Sequence, residues 1–236
     1  MACRRWRRTV SLHALFVLLA SCDPSVSDVA SPGLDEIKVK DYGIQLLAPE
    51  AQFYSTGRIA SPILPGDSTD ADGILMAYLE GTKHYHPVQI AQRVLVFLNT
   101  FRLTGDSVFV HESRKFIDKL LEIGVYERDA LYFPYGFSIY PHGGTGTNNT
   151  QVLTAPWFSG MAQGQVLSAL VGLYGVTRDA KYLHAADLVF RSFLELKSEG
   201  DPWTVYVDPD RYYWVEEYPL ERPSNVLNGS STTSIS

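Results

Sequence analysis

The stretch VQIAQRVLVFLNTFRL, residues 88–103, has apolar side chains at the spacing of one face of an α-helix. They are Val88, Ala91, Leu95, Leu98 and Phe101. Thr-Gly-Asp at 104–106 ends the pattern, and Asp106 is placed to cap a following helix. Residues 107–123 continue with a second apolar face, made of Phe109, Phe116, Ile117, Leu120 and Leu121. The stretch therefore predicts two helices joined by a tight break.

The pattern of helix, short break and helix recurs 73 residues further along the chain. Residues 166–176 predict a helix, Thr-Arg-Asp at 177–179 a break, and residues 180–196 the next helix. Six residues match at this spacing: Phe101, Phe109, His111, Phe116, Leu121 and Glu122 with Tyr174, Tyr182, His184, Val189, Leu194 and Glu195. Repeating hairpins bury their apolar faces against their neighbours. The sequence thus predicts a mainly α fold, an incomplete α/α toroid of helical hairpins with short β-hairpins.

Composition limits the classes of function. The chain has 236 residues, of which 45% are hydrophobic and 12% aromatic, enough to bury a substantial core. Its net charge of −6 argues against a general nucleic-acid binder. An anionic polymer would therefore need a local basic patch. Arg58 stands alone among small residues and is interpreted either as a surface salt-bridge partner or as a cation that contacts the substrate.

Residues 1–22 predict a targeting segment. Four arginines precede an apolar run at 12–20 that is too short to span a bilayer as a stable anchor. The run ends in Leu-Ala-Ser-Cys, which resembles a bacterial lipobox that is lipidated on Cys22; the alternatives are an ordinary cleaved secretory signal and an uncleaved start of the chain. We expect a lipoprotein held on the membrane outside the cytoplasm, in the periplasm or on the cell surface. Residues 23–40 would form its tether.

Cysteine usage excludes two kinds of structure from the mature chain. Cys3 leaves with the signal segment and Cys22 would carry the lipid. Neither a disulfide nor a thiolate metal site is then expected. The sequence also contains no dinucleotide-binding fingerprint, and the loop at 132–154 has no phosphate-binding Gly-Lys-Ser/Thr ending. Such a loop between hairpins is predicted to line a cleft.

Two adjacent carboxylates stand out near the end of the chain. Residues 204–207 and 211–215 predict a β-hairpin, and the segment YYWVEEYP at 212–219 carries Glu216 and Glu217 among aromatic residues. Carboxylates held between Trp214 and Tyr218 are partly removed from water, which suits them to proton transfer. The alternative is that both glutamates cap the hairpin and contact only water.

Four motifs together carry a resemblance to a known family. They are PVQIAQ at 87–92, PWFSGMAQGQ at 156–165, WVEEYP at 214–219 and VLNG at 226–229. In this order they resemble the C-terminal domain of the D-glucuronyl C5-epimerases, over about residues 70–229 of a domain expected at 41–229. The chain has Gly160 where the family usually has alanine, and Val215 where it usually has an aromatic residue.

The resemblance implies inversion of C5 in glucuronate units of a heparosan- or heparan-type polysaccharide, without a metal or a redox cofactor. It gives Glu217 the role of the base, with Tyr218 hydrogen-bonded to the sugar or to the developing charge, although Tyr218 could also simply pack. Predicted substrate contacts are Trp157, Gln163, Gln165, Trp214, Glu216, Asn228, Tyr140, His142 and Arg58. The amides could instead lie on a helix surface or cap a helix end. His142 could simply be solvated. Glu216 could turn outward or contact Arg222.

Two other functions stay open. Family members continue beyond the VLNG motif with helices that carry a tyrosine thought to be the acid, whereas here residues 230–236 predict a disordered tail. We therefore expect a chain that lacks this acid and has impaired or no epimerase activity, with exposed apolar faces that favour association into a homo-oligomer; only if the chain proves fully active would the acid be one of its remaining tyrosines. The alternatives are a non-catalytic, lipid-anchored carbohydrate-binding remnant and a polysaccharide lyase. Only a lyase would release an unsaturated, ultraviolet-absorbing uronate.

Overall fold

A computed structural model describes residues 32–37, 47, 51, 57–62, 69–79, 81–141 and 151–226. Cys22, His142 and Asn228 lie outside these residues, as do the rest of the signal segment and the tail. Predictions made for them therefore stay predictions. Within the described part, no helix combines the length and the apolar character needed to cross a membrane.

The described part of the chain is mainly α, as predicted, with small antiparallel hairpins. Its helices are α1 Pro87–Thr104, α2 Val108–Ile123, α3 Gly160–Thr177 and α4 Ala180–Arg191. Its strands pair as β1 Ala77–Leu79 with β2 Thr82–His84, β3 Val125–Glu127 with β4 Ala130–Tyr132, and β5 Val205–Val207 with β6 Tyr213–Val215. The last pair is the hairpin predicted ahead of the two glutamates.

The 73-residue repeat is confirmed by the bounds of the helices. Shifting α1 by 73 residues gives the first and last residues of α3, and both helices have 18 residues. Both end in a left-handed residue, Gly105 at φ 71° and Arg178 at φ 56°, whose N–H donates to the carbonyl four residues before it. The two helical hairpins are therefore built by the same local rules.

The break between the helices repeats as well. The Asp106 carboxylate accepts from the Val108 N–H at 3.0 Å, and the Asp179 carboxylate accepts from the Lys181 N–H at 3.2 Å. Each aspartate satisfies a backbone donor at the start of the next helix that no helical carbonyl can reach. Asp106 thus supports the start of α2 as predicted, although it lies one residue before the N-cap Ser107, whereas Asp179 is itself the N-cap of α4.

Two helix bounds differ from the sequence prediction. Helix α3 begins at Gly160 rather than at residue 166, because the Ser159 hydroxyl caps it by accepting from the Ala162 N–H at 3.4 Å. Helix α4 ends at Arg191 rather than at residue 196. After it, the Phe193 and Leu194 N–H groups donate to carbonyls three residues back, which turns the chain toward strand β5.

The core lies between the helices. Helix α1 packs against both α2 and α3, and α3 packs against α4. Phe97 of α1 contacts the rings of Phe109 and Phe116 at centroid distances of 6.0 and 5.5 Å. The face predicted for α2 is buried, with Leu121 only partly so. On the outer side of α4, Leu183 and Phe190 are exposed, as expected for a helix with apolar residues on more than one face.

Gly160 allows α3 to begin directly against strand β6. Its N–H donates to the Glu216 carbonyl at 2.8 Å. A Cβ atom at this position would lie 2.5 Å from Val215 Cγ1 and 2.7 Å from that carbonyl oxygen. Real Cβ atoms do not approach so closely, so the helix and the strand would have to move apart.

We therefore predict that Gly160→Ala lowers the free energy of unfolding by roughly 1–3 kcal/mol, the usual cost of overpacking. Gly175→Ala is the matched control, because it lies in the same helix and its added Cβ would meet nothing within 4 Å. That control should gain up to about 1 kcal/mol from helix propensity. Chemical denaturation measures both changes. Equal effects of the two substitutions would contradict the close approach of α3 and β6.

Candidate active site

The acidic segment is fixed by its backbone on two sides. The Glu216 N–H donates to the Thr204 carbonyl at 2.8 Å, which extends the pairing of the β5–β6 hairpin. The Glu216 carbonyl accepts from the Gly160 N–H at the start of α3. The main chain at this residue is thus held between a helix and a hairpin, which sets the positions of the residues that follow.

The side chain of Glu216 is fully buried and has a structural role. Its carboxylate accepts from the Asn225 N–H at 2.9 Å, from the Ser224 N–H at 3.1 Å and from the Ser224 hydroxyl. The expectation that it turns outward, anchors Arg222 or contacts only water is wrong. Its prediction as a substrate contact is corrected too, since these donors occupy both carboxylate oxygens. Glu216 ties the segment at 224–225 to the hairpin.

Glu217, the next residue, differs from Glu216. It is only partly buried, but its Oε2 atom is inaccessible to solvent and has no hydrogen-bond partner in the described structure. The Tyr218 hydroxyl is hydrogen-bonded to the Glu217 carboxylate. Burial, with this hydrogen bond and the adjacent charge, raises the pKa of Tyr218 to about 12. Tyr218 therefore keeps its proton at neutral pH and donates it to Glu217 in a hydrogen bond.

Glu217 and Tyr218 line a cavity of about 610 Å³. Its other walls come from the β1–β2 hairpin, from the start of α1 and from the segments before α3. The polar and aromatic members of these walls are Tyr78, Lys83, His86, Gln89, Tyr135, Phe137, Trp157 and Ser159. A cavity of this size falls in the range of small-molecule and sugar sites.

An aromatic wall borders the acidic residues. Tyr135 and Trp157 stack with their centroids 4.0 Å apart and their planes at 9°. The Trp157 Nε1–H donates to the Phe137 carbonyl at 2.7 Å, and the Trp157 ring lies 6.2 Å from that of Tyr218. The wall is therefore held by ring stacking and a backbone hydrogen bond, and it adjoins the acidic segment. The predicted place of Trp157 at the site agrees with this geometry, and Tyr135 comes from the loop that was expected to line a cleft.

The hydroxyl of Tyr135 connects the starts of two helices. It is hydrogen-bonded to the Val88 N–H of α1 and to the side chain of Ser159, the cap of α3. Burial raises the pKa of Tyr135 far above its ordinary range, so the hydroxyl stays protonated. Helices α1 and α3 thus begin at the same cavity, and helix N-termini carry partial positive charge.

Sequence reasoning missed His86, the cap of α1. Its Nδ1 accepts from the Gln89 N–H at 3.4 Å, and its ring meets that of Tyr135 edge-on at 5.0 Å. Burial lowers the pKa of His86 below its ordinary 6.5, so the ring is neutral at pH 7. Because Nδ1 is an acceptor, the proton of the neutral ring is on Nε2. The sequence did contain a signal for this cap, namely a polar residue directly before Pro87 at a helix start.

Lys83 was missed as well. It lies on strand β2, its side chain is exposed, and its Nζ donates to the Thr69 carbonyl at 2.9 Å. Among the described residues that line the cavity, Lys83 alone carries a full positive charge at neutral pH. The sequence of this short strand contains no pattern that predicts that the lysine and the distant glutamates belong to one site.

Gln163 is not placed to bind sugar. It is fully buried, its amide nitrogen donates to the Leu131 carbonyl and to the Ser192 hydroxyl, each at 2.8 Å, and its oxygen accepts from the Phe133 N–H. Its predicted role is therefore corrected to one of joining α3 to strand β4 and to the end of α4. Gln165 is also buried and does not line the cavity; its Oε1 has no hydrogen-bond partner among the described residues.

Three further predicted contacts lie outside the cavity wall. The Trp214 Nε1–H donates to the Asp208 carboxylate at 2.8 Å, so this ring braces the turn between β5 and β6 rather than shielding Glu217. Tyr140 and Arg58 are exposed and are not among the described lining residues. No cluster of metal-ligating side chains is present in the described ranges.

Residues 135–235 match the family model of the D-glucuronyl C5-epimerase C-terminus. The resemblance carried by the motifs is thereby confirmed over this segment. The chain is also 31% identical over 84 residues to an uncharacterised protein of Methanocaldococcus jannaschii, which is 35% of this chain and 27% of that protein. The chain thus spans about a quarter of the length of that curated relative.

A solved structure provides a further comparison. A family 76 glycoside hydrolase (mannosidase) from Bacteroides thetaiotaomicron aligns with a TM-score of 0.38 and 15% sequence identity. The alignment covers 61% of this chain and 36% of that chain.

The contrast between the two glutamates predicts opposite effects on stability. Glu216→Gln should lower the free energy of unfolding by roughly 1.5–3 kcal/mol, because it replaces charged acceptors that serve buried donors. Glu217→Gln makes the same chemical change one residue later, where Oε2 has no partner, and should cost far less. Denaturant unfolding of both variants is the measurement. Comparable losses would show that the burial of the Glu216 carboxylate is not what holds this segment.

His86 predicts a pH dependence of stability. Its pKa is lowered on folding, so below pH 6.5 the unfolded chain binds the proton more readily than the folded chain. The stabilising contribution is present above that pH and is lost as the pH falls through the pKa of the folded state. His86→Asn keeps a capping oxygen but does not titrate there. Between about pH 7.5 and 5.5 the parent should lose more stability than this variant; parallel curves would contradict the prediction.

Proposed function

We propose that the cavity at Glu217 is the catalytic site of a C5-epimerase that acts on glucuronate units of a heparosan- or heparan-type polysaccharide. The observation that carries the proposal is the buried, unpartnered Oε2 of Glu217, held beside Tyr218 in a cavity. The matching family segment, residues 135–235, includes both residues. The match supports the reaction class, and the geometry supports the choice of the base.

The proposed reaction needs no external reagent. Glu217 accepts the proton from C5, and the electron pair of the broken C–H bond moves toward the adjacent carboxylate, which gives an enediolate. A proton that comes from water on the opposite face of C5 produces the epimer, and the protonated Glu217 returns its own proton to the solvent. A carboxylate oxygen that is kept from water and from other donors has a lone pair available for this transfer. Tyr218 orients the carboxylate through its own hydrogen bond.

The aromatic wall supports a sugar substrate. Phe137 is only partly buried and offers apolar surface on which the C–H face of a pyranose can pack, supported from behind by the buried Tyr135 and Trp157 rings, while Glu217 and Tyr218 supply polar contacts at one end. Concave sites of mostly apolar lining with a few placed polar groups are the common form of small-ligand pockets. The volume of about 610 Å³ accommodates one or two sugar rings.

The proposal extends to the fold of the chain. Helices α1 and α3 are repeats of one another, and both begin at the cavity. An array of hairpins with its functional residues at one end is the arrangement of an α/α toroid. We propose that the described hairpins are two units of such an array, with the exposed apolar face of α4 as the contact for a further unit.

Exchange of the C5 hydrogen tests the proposed base. In deuterated water, the protein should incorporate deuterium at C5 of the glucuronate units of heparosan, detected by NMR. Glu217→Gln should lower the exchange rate by about two to four orders of magnitude, because an amide does not accept the proton. Glu221→Gln changes an exposed carboxylate of the same segment and should leave the rate unaltered.

The outcomes separate the candidate functions. Unchanged exchange in Glu217→Gln would place the base elsewhere. Formation of an unsaturated, ultraviolet-absorbing uronate would identify a lyase instead. Binding of heparosan by the parent, with neither exchange nor product, would leave a carbohydrate-binding protein.

A further inference from the structure

We propose that Lys83 and His86 bind the C6 carboxylate of the uronate and stabilise the charge that develops on it. This inference rests on the proposed function and assigns residues to its substrate. Both residues line the cavity that contains Glu217, although they come from the opposite end of the described chain, on strand β2 and at the start of α1. Neither residue lies in a motif that carries the family resemblance, although the proline that follows His86 begins one of these motifs.

The need for such a pair follows from charge. Glu217 brings one negative charge into the cavity, and a uronate brings a second. As the C5 proton leaves, the electron pair moves onto the sugar carboxylate, whose negative charge increases. Donors that are already oriented toward this group lower the barrier most effectively. Of the described lining residues, Lys83 has the only full positive charge that could balance the two carboxylates.

His86 suits this role because its two ring nitrogens have different surroundings. Nδ1 is occupied by the Gln89 N–H, which fixes the ring and leaves the proton on Nε2. The ring is packed edge-on against Tyr135 and lies 5.9 Å from Phe137, so its orientation is restricted. A neutral imidazole at a helix N-terminus donates a hydrogen bond to a developing oxyanion without giving up its proton. His86 therefore acts as an electrophilic donor and not as the acid.

Lys83 lines the same cavity. An ammonium group has three N–H donors, and the Thr69 carbonyl accepts one of them. On β2 its partner in the ladder is Tyr78, another residue of the cavity wall. The adjacent starts of α1 and α3 add partial positive charge on this side of the cavity, although the Val88 and Gln89 N–H groups are already occupied. The side chains, rather than free helix N–H groups, are thus the available ligands.

Binding of two matched probes tests the inference. One is a heparosan tetrasaccharide; the other is the same tetrasaccharide with its carboxylates reduced to hydroxymethyl groups. We expect the parent to prefer the uronate form, measured as a ratio of Kd values by calorimetry. His86→Asn and Lys83→Met should each reduce this preference by about 10- to 100-fold, the range of a hydrogen bond to a charged group.

The variants separate recognition from folding. Asparagine keeps an oxygen that caps α1 but does not reach as far as Nε2, and Lys83 is exposed, so both variants should fold. Lys83→Arg should retain most of the preference. Lys181→Met, which removes an exposed lysine that pairs with Asp118 outside the cavity, should leave the preference unchanged. Thermal unfolding of each variant verifies that the fold is intact.

The results also distinguish this inference from the proposed function. If the parent exchanges the C5 hydrogen and both His86→Asn and Lys83→Met keep its full preference for the uronate, the inference is overturned while Glu217 keeps its role. If the parent exchanges the C5 hydrogen but binds the two probes equally well, the inference is likewise overturned while Glu217 keeps its role. If the parent neither binds the uronate probe nor exchanges, the proposed function fails and the inference fails with it.

Discussion

The site depends on the hydrogen bonds that satisfy the buried carboxylate of Glu216. A charge removed from water is tolerated only where hydrogen bonds replace its hydration, and here donors from Ser224 and Asn225 do so. Its backbone is fixed at the same time by α3 and by the β5–β6 hairpin. Glu217 follows directly in the chain and lines the cavity, where its Oε2 atom has no hydrogen-bond partner in the described structure.

The start of α3 and the end of β6 meet at Gly160 and Val215. Gly160 and Val215 face each other, and a Cβ on the glycine would contact Cγ1 of the valine. The absence of a Cβ atom at the start of α3 lets the end of β6 approach the helix closely. This close contact is also what brings the Ser159 cap, and with it the Tyr135 hydroxyl, beside the acidic segment.

The helices could be predicted from the sequence because their apolar spacing and their Thr-Gly-Asp and Thr-Arg-Asp breaks are local signals. The first turn of α3 could not, since small and polar residues there hide the helical period. The burial of Gln163 was equally unreadable, because its partners are mostly backbone groups of distant residues. Glu217 was predicted as the base through the motif, whereas Lys83 and His86 reach the cavity only through the tertiary fold.

The repeat places a histidine and a serine at equivalent helix starts. His86 and Ser159 occupy equivalent positions 73 residues apart, and each caps the first turn of its helix. The serine has one oxygen, which serves both the cap and the hydrogen bond to Tyr135. An imidazole has two nitrogens, so it can cap the helix with Nδ1 and still present an Nε2–H to a ligand. The two equivalent helix starts thus differ in their capping residue, and only the side chain of His86 has a second polar atom that can contact a ligand.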